Sequence, residues 1–202
     1  DNYTNKKLNE FTDKYSDRVT FLVNKKNKGF CASVNRGIRA ATSKYVCLLN
    51  SDVLVTNMWL TKMVLALKAD EKNQIVCPGT NNISIVNIPM AQGASYIAMN
   101  QIFEKFAVRN YPTIIPSGFC FMFRRNLLDK VGLFDESFSS YGEDTALFWK
   151  TINYSENNIF QNYRAVMADD SYVFHQHGGS FSNLGADNHF NQRKIASSAF
   201  HN

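Results

Sequence analysis

Three short clusters in this chain carry side chains with chemistry to offer. The first is Asn50-Ser51-Asp52, which follows the apolar run Tyr45-Val46-Cys47-Leu48-Leu49. Such a run reads as a strand buried on both faces. A carboxylate at its C-terminal end sits where open α/β sheets bind their ligands, and hard divalent cations choose carboxylate oxygens and bridge to phosphates. The second cluster is Glu143-Asp144, preceded by Gly142 and followed by Phe148 and Trp149. Two carboxylates in the first turn of a helix are stabilised as anions by the macrodipole, and an ionised Asp at a pocket edge can accept a proton from a hydroxyl group. The third is His175, at the end of Tyr172-Val173-Phe174, where a neutral imidazole suits borderline metals. Each cluster alone also has a plainer reading. Asp52 caps the next segment, the acidic pair complements a helix dipole, and His175 is a hydrogen-bonded loop histidine. His177, His189 and His201 keep that plainer reading.

The elements that must position these residues alternate between the two periodicities. Leu8, Phe11 and Tyr15 predict a helix over about residues 5–16, and Val19 to Val23 reads as a strand. Asn27-Lys28-Gly29-Phe30 is a turn, followed by a helix over 31–41 with Cys31, Val34, Ile38 and Ala41 inward. Next come the apolar strand and a helix over 57–69 with Thr56 as N-cap, then a strand at Ile75–Pro78. Strand–helix alternation argues a parallel sheet covered by helices. The series opens on a helix, which needs a strand before it to pack against, so at least one upstream strand is expected to be missing; the first residue is Asp rather than Met. Residues 81–111 read as an irregular, substrate-side excursion, with a strand suggested by Ile83, Ile85, Val86 and Ile88. Thr113 to Phe123 reads as strand broken by Pro116-Ser117-Gly118, where Gly118 marks a bulge or a close approach of backbone to a ligand. Asn126 is expected to cap a short helix ending at Val131-Gly132, and a helix runs from Glu143 to about Tyr154. Short strands at 165–168 and 172–174 and a polar helix over 188–200 complete the reading.

A chain of 202 residues with 45% hydrophobic content fits one globular domain. The net charge of +5 favours anionic partners such as nucleotides, phosphates, an acidic membrane face or nucleic acid. A nucleic-acid module finds no support in the motifs, because no helix clusters Arg and Lys and no aromatic stacking motif appears. Cys31, Cys47, Cys77 and Cys120 lack metal or disulfide spacing and read as reduced core thiols of a cytosolic protein. No apolar run approaches bilayer-spanning length, and there is no signal peptide.

Taken in order, these segments resemble a family 2 glycosyltransferase, nearest its rhamnosyltransferase-like branch. The first half is carried by Asn27-Lys28-Gly29-Phe30, Asn35-Arg36-Gly37-Ile38, Leu49-Asn50-Ser51-Asp52 and Trp59-Leu60. The second half is carried by Ser117-Gly118-Phe119, Arg125, Val131-Gly132-Leu133-Phe134-Asp135-Glu136, Tyr141-Gly142-Glu143-Asp144-Thr145 and Val173-Phe174-His175. The resemblance implies a GT-A fold, that is, an α/β domain with a mostly parallel sheet flanked by helices, here N-terminally truncated. It implies inverting transfer from a nucleotide-diphosphate sugar donor to a glycan or lipid-linked acceptor in bacterial surface polysaccharide synthesis. By the same resemblance Asp52 and His175 hold Mg²⁺ or Mn²⁺, Asp144 is the catalytic base and Glu143 helps position the acceptor. Asn27, Gly29, Asn35, Asn50, Ser51 and Gly118 fall in the donor-binding positions. Asn50 stands where the strict Asp-x-Asp motif has an acid, leaving fewer anionic ligands. One domain over 1–202 is expected, with a nucleotide- and metal-binding half at 1–80, an acceptor half at 81–182 and a tail at 183–202. The expected setting is the cytoplasm, with peripheral association at the inner face of the plasma membrane and no nucleic-acid partner.

Three other readings compete. A sugar nucleotidyltransferase needs a Gly-rich basic loop near its N-terminus, which is not seen. A basic polysaccharide- or nucleic-acid-binding module and a degenerate, non-catalytic glycosyltransferase domain are the others. Because the expected base-binding strands are missing, the resemblance predicts that this polypeptide alone binds nucleotide sugar weakly and transfers nothing; sugar transfer by the purified chain would refute that.

Overall fold

The computed structural model describes residues 2–81, 88–90, 92–138, 142–156 and 162–176. The chain runs through α1 (Asn2–Lys14), α2 (Phe30–Ala40), β1 (Tyr45–Leu49), β2 (Val53–Leu54), α3 (Trp59–Ala69), β3 (Asn73–Gly79) and α4 (Tyr96–Phe106). It continues through β4 (Cys120–Arg124), a 3-10 turn (Arg125–Leu127), α5 (Leu128–Val131), α6 (Glu143–Glu156), β5 (Arg164–Tyr172) and β6 (Phe174–His175). The period-2 alternation of β4 shows how the layers form. Phe121 and Phe123 pack with Cys31, Ile38, Leu147 and Phe148 beneath α2 and α6. Cys120 and Met122 point the other way, onto Met63, Ala66 and Leu67 of α3. The sheet is therefore buried between helices on both faces, as the continuous apolar strands require.

The main sheet has the order β1-β4-β3-β5, and β2 and β6 form a separate two-stranded pair. The sheet is mixed rather than mostly parallel: β4 runs antiparallel to both β1 and β3, and only β3 and β5 are parallel. Apolar patterning reports burial and not strand direction, so the sequence had no handle on this. Among the described residues β1 has a neighbour on one side only, which makes it an edge and not the centre of the sheet. Its burial is accordingly partial, with Val46 buried and Leu49 46% exposed.

Other expectations shift for identifiable reasons. Val19 to Val23 joins no ladder; no strand lies beside it among the described residues, and cross-strand pairs are what stabilise a strand. Its end is held instead by Arg36, whose guanidinium donates to Val23 O and Asn24 Oδ1 (2.7 Å each). Thr56 does not cap α3. Its hydroxyl faces Tyr172 O (2.6 Å) and Asn100 Oδ1 (2.9 Å), and the helix starts after Met58, whose φ is 57°. Asn126 lies inside the 3-10 turn and caps nothing there. Gly132, with φ 79°, ends α5 as expected. The irregular stretch contains α4, started by Ser95, whose Oγ accepts from Ala98 N (3.1 Å). Asn100 on its inner face hid the apolar stripe of Met99 and Phe103. The strand suggested at 83–86 and the helix at 188–200 lie outside the described residues.

All four cysteines are free, as read; Cys31, Cys77 and Cys120 are buried and Cys47 is half-buried. Burial pushes the Cys77 thiol up to about 12.

Gly79, at the end of β3, sits under Phe103 of α4. A Cβ there would lie 2.1 Å from Phe103 Cε1. Gly79→Ala is therefore expected to destabilise the domain by about 1–3 kcal/mol, the usual cost of overpacking. Urea unfolding should show a smaller loss when Gly79→Ala is made in a Phe103→Ala background.

Candidate active site

β1 and β4 end together: Asn50 N donates to Phe119 O (2.9 Å), one step beyond the ladder. The chain then turns through exposed Ser51 into β2, which pairs antiparallel with β6 so that Val53 faces His175. Gln176 N donates to Asp52 O (2.9 Å), extending that pairing. The result brings Asp52 Oδ1 to 3.4 Å from His175 Nε2, although the two are far apart in the chain. The His175 ring stacks on Phe119, with centroids 5.2 Å apart and planes 24° apart. Its backbone is gripped by Asn81, whose Oδ1 accepts from His175 N (2.8 Å) and whose Nδ2 donates to His175 O (3.0 Å).

The residue before Phe119 organises the carboxylates. Gly118 N donates to Asp144 Oδ2 (2.7 Å). Asp144 Oδ1 accepts from Thr145 N (2.6 Å) and Thr145 Oγ1 (3.2 Å). A Cβ on Gly118 would lie 3.2 Å from Glu143 Oε1 and 3.3 Å from Asp144 Oδ2. The close backbone approach anticipated at Gly118 is thus to the acidic pair itself. Glu143 is 8% exposed, and burial, reinforced by the Asp144 charge, pushes its carboxyl up to about 7. Its Oε2 has no hydrogen-bond partner among the described residues. Burial also raises Asp144, but hydrogen bonds from Gly118, from the Thr145 backbone and hydroxyl, and from its own backbone oppose that shift. The pair differs by environment: burial favours the protonated form of Glu143, and donors surround the Asp144 carboxylate.

The remaining predicted residues separate into three groups. Asn50 and Ser51 lie on the turn beside Asp52. Asn27 Oδ1 accepts from Gly29 N (2.9 Å), and Gly29, with φ 80°, leads into α2. In the first turn of that helix, burial, with the charges of Glu143, Asp135 and Glu136, pushes the Cys31 thiol up to about 12. Asn35 braces the loop after α5. It is 1% exposed, and its side chain is committed to Phe134 O (2.9 Å), Phe134 N (3.1 Å) and Glu136 Oε1 (2.9 Å). Among the described residues no third His, Cys, Asp or Glu joins Asp52 and His175. Asn81, Phe119 and Thr145 had not been assigned to the site. Thr145 could have been found as a hydroxyl one residue beyond a helix-start Asp; Asn81 carried no signal, because it acts at the edge of an irregular stretch.

Because Glu143 rises from an ordinary 4.5 to about 7, folding favours its protonated form. That contribution is complete below about pH 4.5 and is lost as pH rises through 7, at a cost of about 3 kcal/mol. Unfolding midpoints of wild type measured from pH 4 to pH 8 should therefore fall relative to those of Glu143→Gln, with the gap opening between pH 4.5 and 7.

Comparison with known proteins agrees with this geometry. The family model for glycosyl transferase family 2 matches residues 1–132. The chain is 25% identical to the hyaluronan synthase of Pasteurella multocida over 177 aligned residues, covering 72% of this chain and 18% of that one. It superposes with a TM-score of 0.61 on a mannosyltransferase from Pyrobaculum calidifontis solved with GDP-Man and Mn²⁺, at 17% identity over 98% of this chain and 52% of that one. It superposes with a TM-score of 0.62 on GalNAc-T7 solved with UDP, GalNAc and Mn²⁺, at 15% identity over 87% of this chain and 35% of that one. The chain thus spans a fifth to a half of the length of these relatives. By its matched residues the chain belongs to glycosyl transferase family 2, and its fold is that of the GT-A glycosyltransferases.

Proposed function

We propose that this domain transfers a sugar, with inversion, from a nucleotide-diphosphate sugar to a hydroxyl of a glycan or lipid-linked acceptor in bacterial surface polysaccharide synthesis. The observation that carries the proposal is the dipeptide Gly118-Phe119: one residue holds Asp144 and the next stacks on His175. A base and a candidate metal pair are therefore held side by side at the ends of β1 and β4.

Asp52 and His175 fit a divalent ion. An imidazole nitrogen and a carboxylate oxygen 3.4 Å apart stand close enough to share one, and this mixed donor set suits Mn²⁺ better than Mg²⁺. The Mn²⁺ in the two solved relatives supports the same choice. When bound, such an ion neutralises charge on a leaving diphosphate. The chain's own residues do the rest. Asp144 takes the proton of the acceptor hydroxyl as that oxygen bonds to the anomeric carbon and the bond to the diphosphate breaks. Glu143, whose burial favours its protonated form, assists in positioning the acceptor beside Asp144. Gly118 and Thr145 keep Asp144 ionised and aimed. The likeness to a hyaluronan synthase supports a polysaccharide product. With a lipid-linked acceptor, the domain would work at the cytoplasmic face of the plasma membrane, where its net charge of +5 favours anionic headgroups.

In an N-terminally extended, complete domain, Asp144→Asn should lower transfer by about 10²–10⁴-fold, the usual worth of a general base, and leave Mn²⁺-dependent nucleotide binding in place. Asp52→Ala should do the reverse in a calorimetric titration, weakening UDP or GDP binding in the presence of Mn²⁺. A non-catalytic scaffold would show neither effect.

A further inference from the structure

His175 stands at a place where the sheet gives out. β3 and β5 pair in parallel as far as Gly79 opposite Tyr172, and Val173 N still donates to Gly79 O (2.9 Å). Two residues after β3, the side chain of Asn81 reaches β6. Its amide is the same functional group as a peptide unit, and it makes both hydrogen bonds that a neighbouring strand would make to His175, one accepted from N (2.8 Å) and one donated to O (3.0 Å). Asn81 Oδ1 also lies 3.3 Å from the hydroxyl of buried Thr80, which fixes the amide orientation. On the other side β6 pairs with β2 over two residues, extended by the bond from Gln176 N to Asp52 O.

We propose that Asn81 is a positioning residue for metal binding: its side-chain amide makes the hydrogen bonds of a neighbouring strand and holds His175 beside Asp52, at a separation that one divalent ion can bridge. This rests on the reading of Asp52 and His175 as a metal pair. The physical logic is that a two-residue strand pair is too short to be rigid alone. A ligand left to swing must be reordered each time an ion binds, and groups that orient metal ligands are typically worth about 10–100-fold in affinity. Asn is the side chain suited to the position. Asp can accept from His175 N but has no donor for His175 O, and Ala offers neither.

The test uses the whole chain and Mn²⁺ alone, with free Mn²⁺ counted by electron paramagnetic resonance. Wild type, His175→Ala, Asn81→Ala and Asn81→Asp are titrated at a temperature where circular dichroism shows each folded. Asn81→Ala is expected to weaken Mn²⁺ binding about 10–100-fold with its ligands intact. Asn81→Asp is the sharper variant. It adds a negative charge near the site, which by electrostatics alone tightens cation binding, so weaker binding there can come only from the lost donor. It also decides the matter if Asn81→Ala does not fold. Weakening in His175→Ala with wild-type affinity in Asn81→Ala, or tighter binding in Asn81→Asp, overturns the positioning role while leaving the metal pair standing. No weakening in His175→Ala overturns the metal pair and the positioning role together.

Discussion

The hydrogen bond from Gly118 N to Asp144 Oδ2 is the contact on which the rest of the site depends. It joins the entry to β4 to the first turn of α6, and a side chain at residue 118 would crowd both carboxylates. Phe119 follows at once and supports the His175 ring, while its carbonyl receives Asn50 N from the end of β1. One dipeptide therefore sets the spacing between an acid–base pair from α6 and a candidate ligand pair from β2 and β6. Burial then separates the acids, raising Glu143 to about 7 and leaving Asp144 among donors.

A second polar device supports the same region from behind. Asn100 of α4 accepts from Lys62 Nζ and Tyr172 N (3.3 Å each), and its Oδ1 faces the Thr56 hydroxyl. Its Nδ2 donates to Glu104 (3.1 Å), which also pairs with Lys62 (2.6 Å). Buried polar groups are costly unless satisfied, and here one amide satisfies partners from α3, α4 and β5 at once. Arg125 does similar work at the opposite end of the sheet, where its guanidinium covers carbonyls at the end of α2, including Ile38 O (3.1 Å). Those are the acceptors that a helix end leaves open.

Much of the architecture was legible because two signals were strong. Continuous apolar runs marked the strands that are buried on both faces, and the spacing in α2, α3 and α6 marked the helices that bury them. The clustering of Asp52, Gly118, Glu143, Asp144 and His175 was readable only through the ordered set of motifs, since no local rule connects residues so distant in the chain. What stayed hidden has physical causes. Strand direction leaves no trace in hydrophobic pattern, so the mixed sheet could not be foreseen. α4 was masked by Asn100, a polar residue on a core-facing position. Asn35 looked like a ligand contact because an Asn in a motif reads the same whether it binds substrate or braces a loop. Asn81 acts through a side chain imitating backbone, which no periodicity reveals.

The pairing of β2 with β6 has a consequence for how the protein comes into being. Residues 52 and 175 are separated by most of the described chain, with β3, β4 and β5 between them. Closing so long a loop cannot be done early at low entropic cost, so the unfolded chain holds nothing resembling this pair. Any ion that both residues grip is gripped by the native state alone, and mass action then turns its concentration into stability.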